Sequence, residues 1–221
     1  MGVVTAQRAL RAVDGRVPGR RGQATRERLL QCTAELLERT SYRDVTVIDI
    51  AQCAGTSPAT FYQYFSDVED AIVLLAEAMT EQGIELTELI GRSTWRGKQA
   101  LASAEALVDG FFDLWAEHGP VLRVVDLATL EGDLRFQNIR THLLNEVTSA
   151  LRAVVAESKR QGHHPRGLDP MAQAAAVVSM LAHVASHRYG FEFWGIRLDD
   201  ARRALAGIVY SSVTGRRPPA S

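Results

Sequence analysis

From Ala24 onward, apolar residues recur with a helical period almost everywhere along the chain. Leu29-Leu30 and Leu36-Leu37 repeat at a spacing of seven, which predicts a first helix over about residues 24–40. Thr46 precedes Val47–Ala54 with Asp49 three places on. This is an N-cap with a weakened capping box, since Glu or Gln normally holds that third position. Ile48 and Ile50 supply inward bulk to this short helix, Ala51 lets a neighbour cross closely, and Gly55 can take the positive φ that ends it. Ser57-Pro58 then opens a second short helix, about residues 58–65. Longer periodic segments follow at about 67–91, 98–118, 120–130, 135–161, 169–188 and 198–213. Breaks fall at Gly97, Gly119-Pro120, Gly132, Gly162–Gly167 and Gly190–Gly195. Strand-like alternation is confined to Val45–Ile50, which the caps assign to a helix. The pattern predicts an all-α fold with a flexible basic tail at 1–21, a three-helix N-terminal domain at 22–66, and a larger helical body at 67–221.

The two short helices and their glycine-containing turn have the lengths of a helix-turn-helix. On the second, Phe61 and Phe65 lie four apart and face the core, which turns Ala59, Thr60 and Gln63 outward with Tyr62 and Tyr64 beside them. Short outward residues let a helix sink into a major groove, where Thr can bond a base edge or touch a thymine methyl; tyrosine hydroxyls reach phosphates. The bland alternative is a helical hairpin with one wet face.

Charge sharpens this reading a little. Residues 1–66 carry nine arginines and six acidic residues, net +3; residues 67–221 carry 16 basic and 20 acidic residues, net −4. A basic head on an acidic body suits contact with nucleic acid at one end. Arg8, Arg11, Arg16, Arg20 and Arg21 stand in a segment without apolar period, read either as a solvated terminus or as an arm along DNA phosphates. Cys32 and Cys53 sit in separate helical patterns, outside any metal-type cluster. No disulfide is expected from them, and a reducing cytoplasm fits. No apolar run reaches the ~20 residues of a transmembrane helix, and the first residues lack the apolar core of a secretory signal.

From Arg26 to Ala71 the sequence resembles the tetracycline-repressor (TetR) family of regulators. The matching residues are Leu29-Leu30, Leu36-Leu37, Tyr42, Thr46, Ile50-Ala51, Ala54-Gly55, Ser57, Thr60-Phe61-Tyr62 and Tyr64-Phe65. The resemblance implies a homodimer that binds a palindromic double-stranded operator and is released by a small hydrophobic or amphipathic effector. It implies Pro58, Ala59 and Thr60 at base edges. Thr46, Tyr62 and Tyr64 would hold phosphates, and Ser57, Gln63, Arg20 and Arg21 complete the expected DNA-binding set. Three positions depart from the pattern. Ser41 stands where Gly is usual and would cost roughly 1 kcal/mol if it kept a left-handed geometry. Val68 stands in place of a lysine, and Gln63 in place of a common histidine; the arginines of the tail would compensate.

The body shows no phosphate loop, nucleophile elbow or metal motif, so neither a cofactor nor a catalytic or metal site is expected. His183 and His187 share a helix face, but such pairs more often belong to a core or an interface. The resemblance implies an effector cavity among the central helices. The residues expected to line it are Leu75, Met79, Phe111, Phe112, Trp115, Leu127, Phe136, His142, Leu143, Met180, His183 and Trp194, with Asn138 and Asn145 as further polar candidates. The run from Phe111 to Trp115 resembles the subgroup of the ethionamide-activation repressor, which implies an elongated hydrophobic tunnel. Small and aliphatic residues on the last two long helices, among them Ala172, Ala204 and Ile208, suit a two-fold four-helix interface. The competing class is an all-α enzyme or binding module without DNA specificity.

Overall fold

The computed structural model describes residues 19–219, apart from the side chains of Glu81, Gln82 and Glu192. Arg8, Arg11 and Arg16 lie outside the described residues. Every regular element among the described residues is an α-helix: α1 (Arg20–Arg39), α2 (Val47–Cys53), α3 (Pro58–Tyr64), α4 (Val68–Arg92), α5 (Gln99–Leu130), α6 (Leu134–Arg160), α7 (Pro170–Ser186), α8 (Tyr189–Phe193) and α9 (Leu198–Thr214).

The first helix starts four residues earlier than its leucine repeat indicates, so Arg20 and Arg21 occupy its first turn rather than a tail. Leu29, Cys32 and Leu37 are buried on its inner face. The largest difference from the sequence pattern is α5. Gly119-Pro120 does not break it, and a single helix runs from Gln99 to Leu130. An interior proline forfeits one hydrogen bond and costs about 3 kcal/mol. Burial of Trp115 before it, and of Val121, Leu122, Val124 and Val125 after it, offsets that cost and keeps the helix running.

The chain divides into two compact units. One takes the chain up to Met79 together with Pro120–Arg140; the other takes Thr80–Gly119 and Thr141–Ser221. The divisions fall inside α4, α5 and α6, so each of these helices belongs to both units.

The first unit is built on Leu29, Ile50, Phe61, Phe65, Ile72, Val125 and Phe136, all buried in one cluster. The Phe61 and Phe65 rings lie 5.2 Å apart, and the Arg26 guanidinium stands 5.4 Å over Phe65. Burial pushes that guanidinium below its ordinary pKa, with Asp70 and Glu27 acting in the opposite direction. Around the corner between α5 and α6, Glu131 accepts a hydrogen bond from the Tyr42 hydroxyl at 2.9 Å and forms an ion pair with Arg43. The segment before α2 is thereby tied to the end of α5.

Cys32 and Cys53 are joined in a disulfide, with their Cα atoms 5.8 Å apart. This corrects the expectation of two unpaired thiols. The cysteines are 21 residues apart in sequence, and only the packing of α1 against α2 brings them together.

In the second unit α7 and α9 pack together. Ala174, Val177, Val178, Leu181 and Ala185 of α7 are buried, as are Leu205, Ala206, Val209 and Val213 of α9.

Candidate DNA-reading helix and effector region

The reading helix is held by caps at both ends of its turn. Thr46 forms a complete capping box with Asp49: the Asp49 amide donates to Thr46 Oγ1 at 3.2 Å and the Thr46 amide donates to Asp49 Oδ2 at 3.1 Å. The shorter carboxylate therefore does the work of Glu or Gln. The Thr46 hydroxyl also donates to Asp49, at 2.6 Å, so it is engaged within the protein rather than free for a phosphate. Gly55 takes φ 66°, and the Thr56 amide reaches back to the Ala51 carbonyl at 2.9 Å, closing α2 with a Schellman turn. Ser57 Oγ accepts the Thr60 amide at 3.2 Å to start α3, with Pro58 in the first turn.

These caps fix which residues face out. Phe61 and Phe65 are fully buried, while Ser57, Pro58, Ala59 and Gln63 are exposed, as is Tyr62. Thr60 is half-buried with Oγ1 3.0 Å from Ser57 Oγ, and Tyr64 packs partly on the core. Arg20 and Arg21 are exposed at the head of α1. Arg28, absent from the expected set, lies nearby and donates from Nε to the Ala54 carbonyl at 3.3 Å, supporting the end of α2. Ile48 is 65% exposed, against its expected inward role; two residues apart on a helix, Ile48 and Ile50 point to nearly opposite sides, and only Ile50 meets the core.

The departures from the family pattern have structural answers. Among the described residues no non-glycine has positive φ, so Ser41 avoids the left-handed strain expected of it. Val68 turns inward and joins the core. Asp67 caps α4 by accepting the Asp70 amide at 2.6 Å, and Asp70 in return accepts the Ser66 amide at 3.3 Å. The segment that lacks the lysine is thus a capped helix start, with the return bond made to the residue before the cap.

The expected effector-lining residues separate into three groups. Phe111, Phe112 and Trp115 are buried in the second unit, where Leu143 is buried as well. Met79 and Phe136 are buried in the first, and Leu75 packs partly on its core. Met180 is half-buried, whereas Leu127, His142, His183 and Trp194 are exposed. The Trp115 and Phe111 rings stack at 5.9 Å. Trp115 is 4% exposed, yet its indole N–H has no hydrogen-bond partner. A buried donor left unpaired costs about 1–3 kcal/mol, which marks a place where an acceptor is wanted.

No helix among the described residues is long and apolar enough to cross a membrane. Residues 29–70 match the family described as bacterial regulatory proteins, tetR family; residues 86–220 match the tetracyclin repressor-like C-terminal domain. The fatty acid metabolism regulator protein of Bacillus subtilis (strain 168) is 24% identical over 141 residues, covering 64% of this chain and 71% of that one. In fold the chain is similar to the fatty acid degradation regulator FadR of Bacillus halodurans, at 17% identity and TM-score 0.65, over 88% of this chain and 97% of the other. It is similar also to FadR of Bacillus subtilis in complex with stearoyl-CoA, at 20% identity and TM-score 0.60, over 86% and 99%.

Proposed function

The chain belongs to the TetR family of bacterial transcription regulators, a ligand-responsive, DNA-binding repressor that works as a homodimer on double-stranded DNA, and on that premise we propose which residues read, sense and pair. The reading residues are Ser57, Pro58, Ala59 and Thr60 at base edges, with Tyr62, Gln63, Tyr64, Arg20 and Arg21 toward phosphates. The observation that carries this is the outward edge of α3, fixed by the Ser57 cap on one side and by buried Phe61 on the other. Thr60→Ala leaves the Ser57 cap on the residue-60 amide intact. It is expected to relax base preference at one symmetric pair of operator positions by about 1–3 kcal/mol. Selection of bound duplexes from a random pool checks this; an unchanged selected site would remove Thr60 from the base contacts.

We propose a long-chain acyl-CoA as the effector. The named relative regulates fatty acid metabolism, and a fold neighbour holds stearoyl-CoA. On this chain's side, the stacked Phe111 and Trp115 offer an apolar lining, and the unpaired Trp115 N–H offers a donor to an acyl carbonyl. A ligand favouring one arrangement repopulates it, and α4, α5 and α6, shared by both units, carry that preference to the reading head. Stearoyl-CoA is expected to release the protein from its operator, while CoA alone does not. Trp115→Phe should bind operator normally but need about tenfold more stearoyl-CoA for release, the worth of one hydrogen bond in this setting. Release that is unaltered in the variant would exclude Trp115, and no release at any acyl length would exclude the effector class. Residues 22–66 act in this reading as the DNA-binding domain and 67–221 as the effector and dimer body, working in the cytoplasm beside the DNA and without a catalytic step.

A further inference from the structure

A cavity of about 570 Å³ opens at one end of the second unit, between the α4–α5 connection, the last turns of α6 and the end of α9. It contains none of the residues expected to bind the effector. Its floor is apolar: Ile90, Ala100, Tyr210 and Val213 are all buried, and Ala150 and Ala153 leave room above them. Its rim is cationic. Arg96 and Arg160 both pair with the single carboxylate of Glu157, the former at 2.9 Å, so this group carries one surplus positive charge. Arg160 and Gln161 hold the Glu157 carboxyl below its ordinary pKa range, which keeps it ionised. Arg216 donates to His163 Nε2 at 2.7 Å, an imidazole rather than a carboxylate, and so adds a second uncompensated charge.

The wall beside Arg216 is built in advance. The last carbonyls of α9 are each taken by a side chain: Ser212 by Gln173 at 3.2 Å, Val213 by His164 at 3.1 Å and Thr214 by Ser158 at 2.6 Å. Gly215 ends the helix with φ 66° and passes so close to the His163 carbonyl that no Cβ would fit. The segment bearing His163 and the segment bearing Arg216 are therefore fixed against each other. A preformed apolar pocket of this size with a few convergent polar groups is the usual form of a small-molecule site.

We propose that this cavity binds an amphipathic carboxylate, its apolar body over Ile90, Ala153 and Val213 and its carboxylate between Arg96 and Arg216. The site is separate from the region of Trp115 and does not rest on the acyl-CoA reading. A carboxylate here would replace the imidazole as an acceptor for Arg216 and gain a charge-assisted hydrogen bond.

The test is calorimetric titration of the full-length protein with decanoate and with decyltrimethylammonium, a cation of equal chain length. Decanoate is expected to bind and the cation not. Arg216→Gln, a change on the exposed rim, should weaken decanoate by about tenfold or more with the melting temperature and operator binding unchanged. Ala153→Trp should block it by filling the space over the floor. Trp115→Phe should leave decanoate binding as it is. Equal binding of the cation, absence of decanoate binding at millimolar concentration, or wild-type affinity in Arg216→Gln would each overturn the proposal. Failure of acyl-CoA release alone would leave it standing.

Discussion

Replacing Ile208 by glutamate is expected to convert the dimer to monomers and to cut operator affinity by about a hundredfold or more. Most apolar residues of α9 are buried within the protomer, but Ile208 is 48% exposed and Ala204, one turn before it, is exposed too. On α7, Ala172, Ala176 and Ser179 present a matching row of small exposed residues. Small side chains permit close helix approach, so these faces are proposed as the two-fold interface. A carboxylate placed there is desolvated without a partner, at a cost of several kcal/mol, and the symmetry imposes it twice. Once the protomers part, the second half-site is no longer presented at high effective concentration, and operator affinity should fall by about 10²–10⁴. Sedimentation velocity and operator titration measure both effects, and unchanged helicity would show that the fold survives. A variant that stays dimeric would move the interface to another face.

The second large effect concerns the bridge between α1 and α2. In the oxidised protein, Cys53→Ser should lower the unfolding free energy by about 3 kcal/mol, because the Cys32–Cys53 bond closes a 21-residue loop in the unfolded chain. Reductant should remove the same amount from the wild type and nothing from the variant. Guanidinium unfolding with and without reductant gives this comparison directly. A wild-type midpoint indifferent to reductant would mean that the bond adds nothing to stability.

The helix-turn-helix was legible because its signals are local. Thr46 with Asp49, Gly55, and Ser57 with Pro58 lie within a dozen residues and act through backbone geometry nearest to them. The Phe61–Phe65 spacing needed only the helical period to place both rings inward. What failed depended on tertiary context. Gly119-Pro120 is a strong break on its own, and only burial on both sides keeps α5 continuous. The partnership of Cys32 with Cys53 follows from how two helices cross, which no spacing encodes. The central aromatics were recognised as apolar, but period alone could not separate buried Phe136 from exposed Trp194. The cavity beside Arg216 went unseen because it is lined by small residues, Ala150 and Ala153 among them, and by connections between helices. The only local hints were Trp95-Arg96-Gly97 and Arg216 just past α9.

Glu131 has a consequence for how this protein can diverge. One carboxylate serves both Tyr42 and Arg43, although the tyrosine lies 89 positions away. Arg43 and Glu131 are largely exposed, so losing the acid costs only about 0–1 kcal/mol for the ion pair, but it releases the tyrosine and the arginine together. Divergence at Glu131 should therefore be felt, weakly, in the turn that precedes α2 as well as at the α5–α6 corner.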